Sequence, residues 1–211
     1  MSIRAVMFDF DGTLADSFGA ITASTNHVRG RFDLPPLTEA EVKHFVGFGL
    51  NNLLDRLVPG VDPAKAMALY RDHHPTVMLT ETRLFPGVRV TLTALQARGI
   101  GMAVCSNKSV HFTKQLVEGM GLSPFFAAVL GPEDVSAPKP DPAMLLEGAK
   151  RLKVSTEVCA YVGDMIVDVE TAKAAGIPVW IVPFGVLDRD GMAGAKPDRM
   201  LTTFEEILTL V

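Results

Sequence analysis

The sequence predicts an α/β fold in which a parallel sheet is interrupted once by a helical insertion, and three observations carry that reading. Short β-branched or apolar runs stop at polar or Gly-containing turns. Segments of helical spacing lie between them, the alternation that builds a parallel sheet. The first two runs, however, are separated by far more chain than one crossover helix requires.

The first strand is Ala5 to Asp9, inside the stretch "VMFDFDGTL". It sets Asp9 and Asp11 among apolar residues, and burying unpaired charge is expensive. Something must compensate both carboxylates. The stretch from Asp16 to about Arg83 reads as mostly helical, and within it "PPLTEAEVKHF" predicts a helix start at Thr38 with Glu41 at capping-box spacing. "LFPGV", Leu84 to Val88, marks the return to the sheet. Helices are then expected over Val88 to Arg98, Val110 to Met120, Pro142 to Leu152 and Val167 to Ala175. Strands are expected over Gly101 to Cys105, Ala127 to Leu130, Val158 to Val162 and Val179 to Val182. The predicted organisation is a sheet domain from residues 1–15 and 84–211, with a helical domain, 16–83, inserted into it.

Composition sets the outer limits. At 211 residues, 48% hydrophobic and 21% charged, the chain can bury a substantial core, so a disordered protein is excluded. A net charge of -4 offers no broad basic field for nucleic acid or an anionic membrane, although a local phosphate site is compatible with it. Cys105 and Cys159 lie in apolar runs without CxxC spacing and read as small buried strand residues. No signal peptide precedes "SIRAVMFDF", and no apolar run approaches the length of a membrane span. The expectation is a cytoplasmic protein with neither nucleic acid nor membrane as partner.

Four polar clusters follow predicted strands, at the edge where open α/β sheets bind ligands. They are Asp9 and Asp11, then Ser106-Asn107-Lys108, then Lys139 in "SAPKPDP", then Asp164 and Asp168 in "YVGDMIVD". Residues two apart on an extended chain face the same side, so Asp9 and Asp11 can address one pocket and Asp164 can add a third carboxylate. Hard oxygen ligands of this kind suit Mg²⁺, which keeps some waters and often takes a substrate phosphate oxygen. Ser106, the following loop amides and Lys139 supply donors and positive charge for an anionic phosphoryl group, and Gly12 permits close backbone approach. The constellation reads as phosphoryl transfer.

These motifs resemble the haloacid dehalogenase superfamily, and within it the phosphoglycolate phosphatase-like group. "DFDGTLADS", "SNK", "KPDP" and "GDMIVDVETAKAAG" stand in family order with family-like separations over nearly the whole chain. The resemblance implies a Rossmann-like core with a helical cap inserted after the first motif. It implies that Asp9 is the nucleophile, forming an aspartyl-phosphate, and that Asp11 protonates the leaving oxygen and later activates water. Mg²⁺ would be held by Asp9, the backbone carbonyl of Asp11 and Asp164, with Asp168 supporting that shell. Ser106, the Asn107 amide and Gly12 would receive the phosphate, and Lys139 would offset charge on nucleophile and phosphoryl group. An Asp at position 11 favours phosphate chemistry, since a dehalogenase expels halide and needs no proton there.

In the insertion, "HFVGFGLNNLLDRL" resembles the cap segment in which a Gly-x-Gly turn, here Gly47-Phe48-Gly49, hangs over the active site and selects substrate. Taken singly, Gly47 and Gly49 could instead end a helix, Ser106-Asn107 could cap one, and Asp164 and Asp168 suit a helix start. Lys108 reads as a solvated side chain. His73 and His74 are adjacent on a predicted helix and point in different directions, which argues against a shared metal. A phosphomutase or a phosphonate-cleaving relative shares this core, and the latter needs a cap lysine, for which Lys43 and Lys65 are the only candidates. A silent binding protein on the same fold would be expected to lack Asp9, Asp11, Lys139 or Asp164, and all four are present.

Overall fold

A computed structural model of the chain describes residues 2–185, 192 and 194–211; the loop Asp188 to Gly191, to which the sequence assigns no role, lies outside them. The main sheet has six parallel strands in the order β5-β4-β1-β6-β7-β8. They are β1 (Ala5–Phe8), β4 (Gly101–Cys105), β5 (Ala128–Leu130), β6 (Cys159–Gly163), β7 (Val179–Ile181) and β8 (Arg199–Met200). From β1 the chain runs outward through β4 and β5, then crosses back to β6 on the other side of β1. The direction of winding therefore reverses at β1, and the crevice at the carboxyl ends of β1, β4 and β6 is where such a sheet binds ligands.

Burial explains why β1 is central. Its residues are apolar on both faces, as a strand covered on two sides requires. Val6 and Phe8 enter one core with Leu92 and Leu95 of α5 (Val88–Ala97) and Leu116 of α6 (Val110–Gly119). Ala5 and Met7 enter the other, with Met144 and Leu145 of α7 (Ala143–Leu152) and Val169 and Ala172 of α8 (Ile166–Ala175). Cys105 and Cys159 are buried free thiols in β4 and β6, as expected, and Trp180 is buried in β7.

Two features were not expected from sequence. β8 is a two-residue strand beginning with an exposed arginine, too short and polar for a periodicity to register. The second is a ribbon, β2 (Ala15–Asp16) paired antiparallel with β3 (Arg83–Leu84). It ties together the two ends of the inserted segment.

That segment carries α1 (Phe18–Gly30), α2 (Glu39–Lys43), α3 (Leu50–Leu57) and α4 (Pro63–Val77). Thr38 caps α2 as predicted: its hydroxyl accepts from the Glu41 amide at 3.3 Å while Glu41 accepts from the Thr38 amide at 2.8 Å. Asp62 caps α4, with Pro63 at the first helical position. His74 on α4 joins the inserted helices to α6: buried, it stacks on Tyr70 at 5.0 Å and meets Phe112 of α6 edge-on at 4.9 Å. Burial first, then the nearby Lys108 and His73 charges, push its pKa down to about 2, so the ring is neutral. His73 stacks on His27 instead, although Nδ1 of both His73 and His74 reaches the Ser24 hydroxyl, at 3.3 and 2.9 Å.

Candidate active site

Asp9 and Asp11 leave the end of β1, and a tight turn comes next. Gly12 holds φ +84°, and a Cβ there would fall 2.3 Å from Asp164 Oδ2, so only glycine lets the turn meet the end of β6. Thr13 completes that meeting by donating to Asp164 Oδ1 at 2.9 Å. Across the crevice, Gly185 after β7 packs with its Cα against Asp164 in the same way: a Cβ would lie 2.5 Å from the Asp164 carbonyl oxygen.

The result is a buried acidic cluster. Asp9, Asp164 and Asp168 each offer one carboxylate oxygen, all within 4.8 Å of one another. The three are not equivalent. Asp168 has both oxygens engaged: Oδ2 accepts from the amides of Asp164 at 3.1 Å and Met165 at 3.0 Å, capping α8. Its Oδ1 accepts from Lys139 Nζ at 2.6 Å and lies 3.1 Å from the Tyr161 hydroxyl. Asp168 is a strut. By contrast, Asp9 Oδ1 and Asp164 Oδ2 are buried without a hydrogen-bond partner among the described residues. Lys139 Nζ stands 3.1 Å from Asp9 Oδ1 as an ion pair, off the alignment of a hydrogen bond.

Orphaned carboxylate oxygens are costly unless a cation meets them. Their acidities record that cost. Burial above all pushes the Asp9 carboxyl up to about 6, with Lys139 pulling down and Asp168 pushing up. Asp164 is raised well above the ordinary carboxylate range by burial, then by Asp168 and Asp9. Burial also opposes the Lys139 ammonium, but Asp168 and Asp9 outweigh it and hold its pKa above that of a free lysine. Two buried carboxylate oxygens without a hydrogen-bond partner, one of them also facing Lys139, fit a hard divalent cation, with Asp9 and Asp164 as the side chains placed to hold it.

This arrangement has a measurable consequence. A cation must displace the protons that burial favours, so affinity for Mg²⁺ should rise with pH, roughly tenfold per pH unit for each proton released, across the range below about 6 in which Asp9 carries its proton. For the metal-free protein the sign is opposite. A carboxyl whose folded pKa is raised contributes stability that is complete below about 4 and is lost as pH climbs through about 6. Thermal melts at pH 5 and pH 7.5, with chelator and with Mg²⁺, should therefore show the larger metal-induced gain at pH 7.5. Equal gains would mean that these carboxylates do not carry the cation.

Asp11 points away from the cluster. Its Oδ1 accepts from the Ser17 hydroxyl, and its Oδ2 from Lys108 Nζ at 3.3 Å. Lys108 is therefore not a solvated side chain: only 7% of it is exposed, because it lies in a wall shared with Tyr70 of α4 and Phe112 of α6. Ser106 is buried at the end of β4, its hydroxyl accepting from the Lys108 amide at 3.4 Å. Asn107 is a junction. Its Nδ2 donates to the carbonyls of Lys139 at 2.9 Å and Gly47 at 3.0 Å, and its Oδ1 accepts from the Lys139 amide at 2.9 Å.

The helical insertion roofs this crevice. A cavity of about 480 Å³, its solvent-facing mouth included, is floored by Asp9, Asp11, Ser106 and Asn107 and walled by Ile21, Phe45, Leu50, Leu53, Tyr70 and Phe112. Gly47 and Gly49 line it, both at positive φ, and a Cβ on Gly47 would lie 2.3 Å from Met165 Sδ. They do not end a helix; Gly49 precedes α3. Phe48 between them does not line the cavity and is 50% exposed, so the turn meets the site through its backbone rather than through that ring.

Ser17, Thr13 and Tyr161 were not singled out for the site by sequence, and Lys108, grouped there with Ser106 and Asn107, was read as solvated. Ser17 does lie in "DFDGTLADS", and its one signal is that position beside the aspartates. Tyr161 sits inside an apolar strand run, with nothing in its neighbours to show that its hydroxyl lies 2.8 Å from Lys139 Nζ.

Comparison with known proteins agrees with this architecture. A protein 36% identical over 193 residues, 86% of this chain and 80% of its own, is a phosphoglycolate phosphatase of Rhodospirillum rubrum. Another, from Mesorhizobium japonicum, is 31% identical over 98% of this chain and 94% of its own, and bears the same name. The crystal structure of a predicted phosphoglycolate phosphatase from Haemophilus somnus superposes with a TM-score of 0.94 at 25% identity, covering 99% of this chain and 98% of that one. No helix among the described residues is long and apolar enough to cross a membrane. The family model for haloacid dehalogenase-like hydrolases matches residues 6–182, from within β1 to just past the end of β7, and the chain belongs to that family.

Proposed function

We propose that the protein is a Mg²⁺-dependent phosphatase that hydrolyses a small phosphomonoester through an aspartyl-phosphate, with 2-phosphoglycolate the foremost candidate substrate. The observation that carries this reading is the pair of buried oxygens on Asp9 and Asp164 that no hydrogen bond satisfies among the described residues, beside a cavity whose floor also presents Asp11, Ser106 and Asn107. The names of the curated relatives support the substrate.

In this reading residues 1–15 and 84–211 form the core and 16–83 the cap. Mg²⁺, held by Asp9, Asp164 and the Asp11 carbonyl, would neutralise charge on the phosphoryl group. An Asp9 carboxylate oxygen attacks phosphorus; the new O–P bond forms as the ester P–O bond breaks, and Asp11 delivers its proton to the departing oxygen. Asp11, now a carboxylate held by Ser17 and Lys108, takes a proton from water as that water attacks the aspartyl-phosphate and frees Asp9. Lys139 steadies Asp9 and is itself fixed by Asp168 and Tyr161. Ser106, the Asn107 amide and the Gly12 turn receive the phosphate oxygens, and the roof limits water during the first step.

The alternative of a phosphonate-cleaving enzyme is disfavoured by its missing lysine. Lys43 Nζ sits over the Phe18 ring at 4.3 Å, Lys65 is exposed, and neither lines the cavity. The test is phosphate release from a panel of small phosphomonoesters including 2-phosphoglycolate, with and without Mg²⁺. Metal-dependent release is expected, with 2-phosphoglycolate showing the highest kcat/KM. Interconversion of sugar phosphates without net release would identify a mutase instead.

A further inference from the structure

Lys108 has no role in the chemistry just described beyond its contact with Asp11, yet it is a nearly buried ammonium on the cavity wall. An ammonium has three donors. One is spent on Asp11 Oδ2 at 3.3 Å, and no other acceptor meets Lys108 Nζ among the described residues. Around it the wall is apolar, built from Ile21, Phe45, Leu53 and Phe112, and Lys108 is the only cation among the described lining residues. A buried cation with unspent donors in an apolar chamber calls for an oxyanion from the ligand.

We propose that Lys108 is the specificity-determining residue of this site, and that it receives a carboxylate borne by the carbon next to the ester oxygen, so that the substrate class is O-phosphorylated α-hydroxy acids. The position selects that class. Lys108 touches Asp11, which on the phosphatase reading protonates the leaving oxygen; only an anion attached one carbon from that oxygen stays close to Asp11 during the step. A single cation also suits a monoanionic carboxylate better than a second phosphate, which would need several donors. This assignment rests on the phosphatase reading and deepens it.

The experiment compares 2-phosphoglycolate with ethyl phosphate, in which a methyl group replaces the carboxylate, for wild type, Lys108→Met, Lys108→Gln and Lys108→Arg, each checked by thermal melting. The quantity read is the ratio of the two kcat/KM values, which cancels any common effect exerted through Asp11. The ratio is expected to fall on the order of 30-fold in Lys108→Met and Lys108→Gln, the loss of one charged hydrogen bond, and to be partly restored in Lys108→Arg. A ratio that stays at the wild-type value while both rates fall would overturn the assignment and leave Lys108 as support for Asp11 alone. Wild-type protein that releases phosphate from neither compound with Mg²⁺ present would instead overturn the phosphatase reading, and this assignment with it.

Discussion

Asp9→Asn should lose turnover by on the order of 10⁴-fold or more while keeping or gaining thermal stability in the absence of metal. The two halves of that expectation have one physical origin. The Asp9 carboxylate is buried, its pKa is pushed up to about 6, and at neutral pH the native state therefore holds a charge that its surroundings disfavour. An amide of the same shape removes that charge and cannot attack phosphorus. Lys139 keeps Asp168 as its partner at 2.6 Å, so no buried cation is stranded. In chelator, the variant should melt no lower than wild type at pH 7.5; with Mg²⁺, wild type should gain and the variant should gain much less. Near-normal turnover would remove Asp9 from the nucleophile's position, and a collapse in melting temperature would show its carboxylate to be structural.

Lys139→Met should be the opposite case, inactive and unstable. Lys139 has no exposed side-chain surface and stands between Asp168 and Asp9. Removing the cation leaves two buried carboxylates without a counter-charge, Asp168 keeping only Tyr161 and two amides, a change that typically costs about 3–5 kcal/mol. Urea unfolding monitored by circular dichroism measures that loss. Adding Asp168→Asn to Lys139→Met removes one of the stranded charges, so the double variant should be more stable than Lys139→Met alone, the non-additivity expected of groups in contact or in one ion-pair network. A Lys139→Met protein as stable as wild type would show that the cluster draws its compensation from elsewhere.

The contrast between these variants reflects what a sequence can and cannot disclose. The parallel strands were legible because each is a short apolar run between turns, and Ala5 to Asp9 betrayed the site by carrying charge where charge does not belong. The acidic and basic motifs were legible because they all fall just after strands, and parallel strands deliver the residues after them to one edge. Which oxygens are bare and which are satisfied was not. Asp164 and Asp168 look alike in "GDMIVD", yet one keeps an open acceptor and the other is closed on all sides by Lys139, Tyr161 and two amides. That distinction depends on residues dozens of positions away. Lys108 was misread for a related reason: a lysine beside a helix start is ordinarily solvated, and only its place in a wall with α4 and α6 side chains makes it buried. Phe48 shows the reverse, a large apolar residue in a turn over the site that is half exposed and leaves the cavity to its glycine neighbours.

The position of β1 also constrains the order in which the molecule can come into being. It comes before its partners in the chain: β4 and β6 begin at Gly101 and Cys159, and Lys139 lies between them. Until the chain has grown past β6, one long edge of β1 stays open and Asp9 has no Asp164 beside it. Non-local pairings of this kind are slow to form and leave apolar edges exposed in the meantime. The ribbon between Ala15–Asp16 and Arg83–Leu84 brings the two ends of the insertion together, so with it formed the loop that must close to pair β1 with β4 is much shorter. The groups that balance Asp9 thus lie far from it along the chain, and its charge is compensated only by the long-range pairings that also build the sheet.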